Sequence, residues 1–163
     1  MKIRTRSMLA GTLALAAVVA LAGVVMATGA VGLTSTSIAS GTLDPVKINV
    51  RSGDWGAKLR TEGQSTVAVV ENRVAPGGTF GWHSHPGPSL IIVKSGTITF
   101  YHADDPTCSP DVRHAGDALI DEGTDVHVGR NEGTVDVVVI VTRIIPVGAN
   151  PRNDEPASPF CGF

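Results

Sequence analysis

The sequence predicts an all-β protein, a closed barrel or sandwich of short strands. Three observations carry that prediction. The 163 residues include 19 Gly and 10 Pro, many of them between short apolar runs, which is the punctuation of strands and tight turns rather than of long helices. Several of those runs are β-branched, TVAVV and VDVVVIVT among them, and such side chains suit a pleated, half-buried surface. No sustained helical periodicity appears after residue 45. Hydrophobic residues make up 42% and charged residues 17% of the chain, enough apolar surface for one buried core and too little charge for a disordered polymer.

The N-terminal segment stands apart. Lys2, Arg4 and Arg6 precede a long uncharged stretch whose densest part is LALAAVVALAGVVM, Leu13 to Met26. It is apolar on every face and lacks the polar stripe of a core-packing helix. A basic start followed by an apolar run reads as a secretory signal, with Ala30 and Ala39 as candidate cleavage positions. Leu9 to Val31 is also 23 residues of mostly apolar character, long enough to span a bilayer, so an uncleaved membrane anchor is the alternative. Both readings keep the basic end inside and export everything after about residue 40. Residues 34–45 are rich in Ser, Thr and Gly and read as a linker. Residues 1–39 are then leader with linker, and 46–163 the β domain.

Within that domain the predicted strands are 46–50, 67–75, 79–85, 89–94, 97–102, 117–120, 126–130 and 135–145. Turn sequences separate them: APGG at 75–78, HPGP at 85–88, KSG at 94–96, DDPTCSPD at 104–111, HAGD at 114–117, DEGTD at 121–125 and RNEGT at 130–134. Turns every 8–12 residues suit a sandwich or closed barrel.

Without the leader, 10 basic residues face 15 acidic ones, a net charge of −5. A mildly acidic domain without a basic cluster repels phosphate backbones, so nucleic acid is excluded as a partner. Cys108 and Cys161 are the two cysteines, both in the exported part. An even pair in an oxidising compartment predicts a disulfide, here closing a loop of about 53 residues. Neither has a second Cys or His at metal-ligand spacing, which disfavours a metal role for them.

Five histidines occur, at 83, 85, 102, 114 and 127. Strand side chains alternate, so His83 and His85 share one face and Ser84 takes the other. Two imidazoles two residues apart can hold one ion, and His127, opening a separate strand after DEGTD, can complete a cap of three nitrogens. His102 and His114 read as edge polarity. Asp125, two before His127, is either a turn cap or a fourth ligand. Trp82 alternates away from the histidines, while Phe80 and Phe100 read as core.

These residues resemble the two motifs of the cupin superfamily. Gly77 is followed by five residues, GTFGW, then His83, His85 and Gly96; Gly116, His127 and Asn131 stand at the offsets of the second motif. The likeness covers residues 67–145. It implies a double-stranded β-helix, the jelly-roll barrel, in which His83, His85 and His127 bind a divalent transition metal: Mn, Fe, Zn, Cu or Ni. Two departures stand out. The first motif's Glu falls at Ser89 or Leu90, neither a carboxylate, and the second motif's Pro and Gly are Glu122 and Thr124. Three neutral ligands would leave the ion's full charge in place and favour an anionic or bidentate substrate.

Some cupin dioxygenases use a three-histidine site, so a dioxygenase-like oxidoreductase on a small organic substrate is what the resemblance implies; zinc hydrolases and hydratases use three histidines too. A non-catalytic extracytoplasmic binder of metal or small ligand is the alternative. Metal-free isomerase chemistry ranks third, since it needs a His base with a carboxylate or Tyr partner, and Tyr101 alternates away from Phe100. Ferrous iron is hard to keep reduced outside the cytoplasm, which favours the other metals. The sequence fixes neither a catalytic residue nor an oligomeric state, although small cupins often pair through sheet edges as homodimers.

Overall fold

The computed structural model describes residues 27–163, all of it strand, turn and loop. Residues 1–26 of the expected leader lie outside the described residues; among the described ones no helix is long and apolar enough to cross a membrane. Twelve strands follow in order: β1 (Val31–Leu43), β2 (Lys47–Ser52), β3 (Trp55–Arg60), β4 (Ser65–Thr79), β5 (His83–Ser84), β6 (Ser89–Ser95), β7 (Thr97–His102), β8 (Asp111–His114), β9 (Ala118–Asp121), β10 (His127–Arg130), β11 (Val137–Pro146) and β12 (Asn153–Asp154).

Ten of them form one antiparallel, nearly closed barrel. One wall runs β1-β4-β11-β6-β9, the other β12-β5-β10-β7-β8. The walls join where Arg130 of β10 meets Thr79 of β4. Strands β2 and β3 form a separate hairpin. The architecture is that expected of a jelly-roll.

Period-two burial decides which residues enter the barrel. In β6, Ser89, Ile91 and Val93 are buried while Leu90 and Ile92 are exposed. In β11, Val137, Val139 and Val141 face inward. Together with Val74, Phe80, Ile98 and Phe100 they make the main core. A second cluster, Trp82, Tyr101, Val128 and Cys161, lies under the C-terminal residues. Phe163 stacks on Trp82 at 6.3 Å between ring centroids and meets Tyr101 edge-on at 4.9 Å. Cys108 and Cys161 are disulfide-bonded, which fastens this tail to the loop after β7.

Three expectations need correction. Residues 34–45 are not a linker: Val31–Leu43 is a full strand registered against Ser65–Thr79. Its two faces are largely exposed, and its bonds are backbone bonds that side-chain pattern does not encode. The sheet thus starts at residue 31, not 46, and the predicted strand near 46–50 sits in the outlying hairpin. Finally, APGG at 75–78 does not end a strand. It bulges within β4, where Gly77 takes a φ of 73°. Gly77 N–H donates to the Asn131 carbonyl and Asn131 N–H to the Gly78 carbonyl, both at 2.9 Å. A Cβ at Gly78 would stand 2.8 Å from the Ala75 carbonyl oxygen, so the bulge requires glycine there. Strands β3, β8 and β12 were not anticipated.

Candidate metal centre

The site is built where the second wall meets the turn after β9. His83 of β5 and His127 of β10 are register partners on adjacent antiparallel strands, so their side chains leave the same face as near neighbours. His85 follows β5, and its backbone N–H donates to the Gly123 carbonyl at 2.6 Å. The three rings converge, with centroid separations of 4.4 Å for His83–His127, 4.8 Å for His83–His85 and 5.5 Å for His85–His127. All three are buried, and each offers a nitrogen lying within 4.8 Å of the other two. The expected convergence of three imidazoles inside the barrel is what the structure contains.

Each ring is oriented by the backbone. Nδ1–H of His83 donates to the Gly81 carbonyl at 2.8 Å, that of His85 to Pro151 at 2.7 Å, and that of His127 to Asp125 at 3.1 Å. A carbonyl only accepts, so the proton sits on Nδ1 and Nε2 is left with its lone pair. Gly81 makes the first of these bonds available. Its φ is 70°, and a Cβ there would collide with the backbone of Thr28 and Gly29. Burial, helped by neighbouring His127 and Arg152, pushes His83 down to about 2. Burial likewise lowers His85, partly offset by the Pro151 carbonyl and Asp121. Both are neutral at pH 7, the form in which imidazole binds metals.

The remaining expectations sort by position. Ser84 turns away from the rings and its Oγ donates to Glu155. Trp82 packs in the second cluster, and Phe80 and Phe100 serve both as core and as lining beside the triad. Nδ1 of exposed His102 faces the Asp125 carboxylate at 3.2 Å. Asp125 Oδ2 also lies 3.8 Å from His127 Nδ1, and Asp121, Asp125 and His127 form a second group whose donor atoms lie within 4.8 Å of one another. His114 lies at the far end of β7, near Thr97. Asn131 fastens the APGG bulge, its side-chain amide donating to the Val74 and Val135 carbonyls.

Two residues had no sequence motif to announce them. Arg143 continues the inward phase of Val139 and Val141 and lines the interior beside the histidines. Among the described residues no carboxylate lies within ion-pair reach of it, and its Nε has no hydrogen-bond partner. Asp121, at the end of β9, is buried, with Oδ2 at 3.4 Å from His85 Nε2 and 3.6 Å from His127 Nε2. The signal for both was phase: each follows an apolar inward position by two residues.

The interior cavity beside the triad holds about 20 Å³, room for one water rather than a substrate. A hollow of about 310 Å³ opens on the other side of His127 and Asp121, the size of a small-molecule site. Its lining includes Asp104, Asp111, Glu122 and Asp125, against one arginine, Arg113, which is paired with Asp111.

Comparison with known proteins agrees with this architecture. Residues 70–143 match the family model of the cupin domain. Among solved structures, the polyketide cyclase RemF from Streptomyces resistomycificus superposes with a TM-score of 0.55 at 16% identity, over 84% of this chain and 80% of that one. A cupin-like protein from Thermotoga maritima gives a TM-score of 0.49 at 23% identity, covering 56% of this chain and 65% of that one, so just under two thirds of its length is spanned. No curated protein matches the chain. At these identities the structural likeness concerns fold alone. The cupin-domain match covers residues 70–143 of a barrel whose three-histidine group could hold a metal ion.

Proposed function

We propose that this is an exported cupin-domain protein that binds one divalent transition metal through Nε2 of His83, His85 and His127 and acts on a small organic substrate as a dioxygenase-like oxidoreductase. One observation carries the reading: three buried imidazoles have their Nδ1 atoms tied to backbone carbonyls, and their candidate donor nitrogens lie within 4.8 Å of one another. Surface histidines have no reason to be fixed in this way. A bound ion would supply Lewis acidity or, if redox-active, electron transfer. The protein's part is to exclude bulk water with Phe80 and Phe100, to hold the ligand tautomers, and to receive substrate through the 310 Å³ hollow.

The acidic rim of that hollow changes the expected substrate. Carboxylates at 104, 111, 122 and 125 outnumber Arg113 and disfavour an anion approaching from that side. Neutral hydroxylated or cationic molecules fit it better. The disulfide supports export, because such bonds persist in oxidising compartments.

Elemental analysis of anaerobically purified protein tests the first claim. Near-stoichiometric Mn, Fe, Zn, Cu or Ni is expected, with most of it lost in His83→Ala and His127→Ala. Full retention in both variants overturns the site. Oxygen uptake with neutral enediols and diketones tests the second claim. Stoichiometric metal with no turnover of any would favour the other reading, a non-catalytic extracytoplasmic binder.

A further inference from the structure

Asp121 is the feature that the three-histidine reading leaves unexplained. Its Oδ1 accepts the Gly123 backbone N–H at 2.7 Å. Its Oδ2 is buried without any hydrogen-bond partner, and the side chain is only 6% exposed. A buried carboxylate oxygen without a partner is costly. What faces it makes matters worse: the Nε2 atoms of His85 and His127, at 3.4 and 3.6 Å. With Nδ1–H bonded to carbonyls, both nitrogens present lone pairs, so acceptors confront acceptors. A cation between them makes such an arrangement favourable, as does a proton on the carboxyl or on either ring.

The spacing suits a cation between Asp121, His85 and His127, while no contact within 4.0 Å joins Asp121 to His83. Two donors each about 2.1 Å from a single cation in tetrahedral array stand about 3.4 Å apart. The topology shows where the oxygen comes from. Asp121 of β9 is the register partner of Ser89 of β6, and Ser89, fully buried, has an Oγ without a partner. Ser89 is one of the two positions, with Leu90, at which the cupin motif would place its Glu, and of the two it is the buried one. We propose that Asp121 supplies the fourth ligand of the centre, so that the carboxylate missing from β6 is provided by the directly opposite residue of β9. The site is then three imidazoles and one carboxylate, and a bound divalent cation keeps one net positive charge instead of two.

This inference rests on the three-histidine reading, and its test separates the two. Affinity is measured by competition with a chromophoric chelator, using Zn(II) and Co(II), for wild type, His127→Ala and Asp121→Asn. Asparagine keeps the acceptor for Gly123 and removes the anion. Asp121→Asn should weaken binding by about tenfold or more and alter the visible absorption of the Co(II) protein. Metal-free Asp121→Asn should melt at or above the wild-type temperature, because an unpaired buried anion has been removed. A purely structural aspartate would behave oppositely, losing stability with affinity unchanged. Binding that His127→Ala abolishes but Asp121→Asn leaves intact, with an identical Co(II) spectrum, overturns the role of Asp121 alone. Absence of binding in wild type overturns the histidine site itself.

Discussion

His83, His85 and His127 show how little of a ligand's behaviour resides in its own side chain. Each ring gains its tautomer from a carbonyl at a distant or local backbone position: Gly81, Pro151 and Asp125. Their burial has a consequence for stability in the absence of metal. An unfolded histidine takes up a proton near pH 6.5, whereas folded His83 resists it down to about 2. Between those values the unfolded chain binds more protons, so stability falls as pH falls. Above pH 6.5 the ring is neutral in both states and contributes no pH dependence. The slope approaches about 1.4 kcal/mol per pH unit for each ring so affected. Denaturant midpoints of the metal-free protein at pH 7.5 and pH 5 should therefore differ, the lower pH being the less stable. A flat profile would mean that the ring accepts its proton within the fold.

The residues also divide by how well the sequence announced them. The H-x-H pair and His127 were legible because a strand's alternation places two imidazoles on one face and the spacing matches a known motif. Asp121 was not. Nothing in ALID marks an aspartate as a site residue, and its aim into the centre depends on cross-strand register with Ser89, a relation between segments about thirty residues apart. Arg143 was hidden in the same way, as the polar continuation of an apolar strand.

At the scale of elements, the same logic separates the strands that were foreseen from those that were not. Strands β6 and β11 alternate between core and solvent, and β-branched residues fill them, so pattern alone locates them. Strand β1 has no buried face to betray it. It is held by backbone pairing with β4 along eleven register positions from Val31 to Leu43, and by a short bond from Ser35 Oγ to Asn72 Oδ1, 2.6 Å. A leader cut after Ala39 would remove most of that pairing, whereas one before Val31 would leave it whole. At about 1 kcal/mol net per hydrogen bond, a chain beginning at residue 40 should be less stable than one beginning at residue 28 by at least about 2 kcal/mol. Thermal or urea unfolding of the two chains measures the difference. Equal stabilities would show that β1 adds nothing to the barrel.

For the whole molecule, the C-terminal stretch acts as a strap across the site strand. Asn153 and Asp154 pair with Ser84 and His83, the Glu155 N–H donates to the Trp82 carbonyl at 2.9 Å, and the Thr28 N–H donates to the Glu155 carbonyl at 3.0 Å. Phe163, under the guanidinium of Arg130 at 4.0 Å, closes over Trp82 and Tyr101. The disulfide holds this arrangement in place. Replacing Cys161 by Ser should cost about 2–4 kcal/mol, and, because Pro151 orients His85, should weaken metal binding as well. Urea unfolding and chelator competition on Cys161→Ser report the two effects. Lost stability with unaltered metal affinity would show that the strap holds His85 without the cystine.

The bond from His85 to Pro151 reaches across 66 residues of sequence, and the cystine that secures it closes on Cys161. A polypeptide emerging N-terminus first thus displays its H-x-H pair long before it can fix the second ring. On the proposed reading, metal binding would in consequence be a late event, awaiting tail docking and thiol oxidation, so that the ion would meet a finished barrel rather than a nascent one.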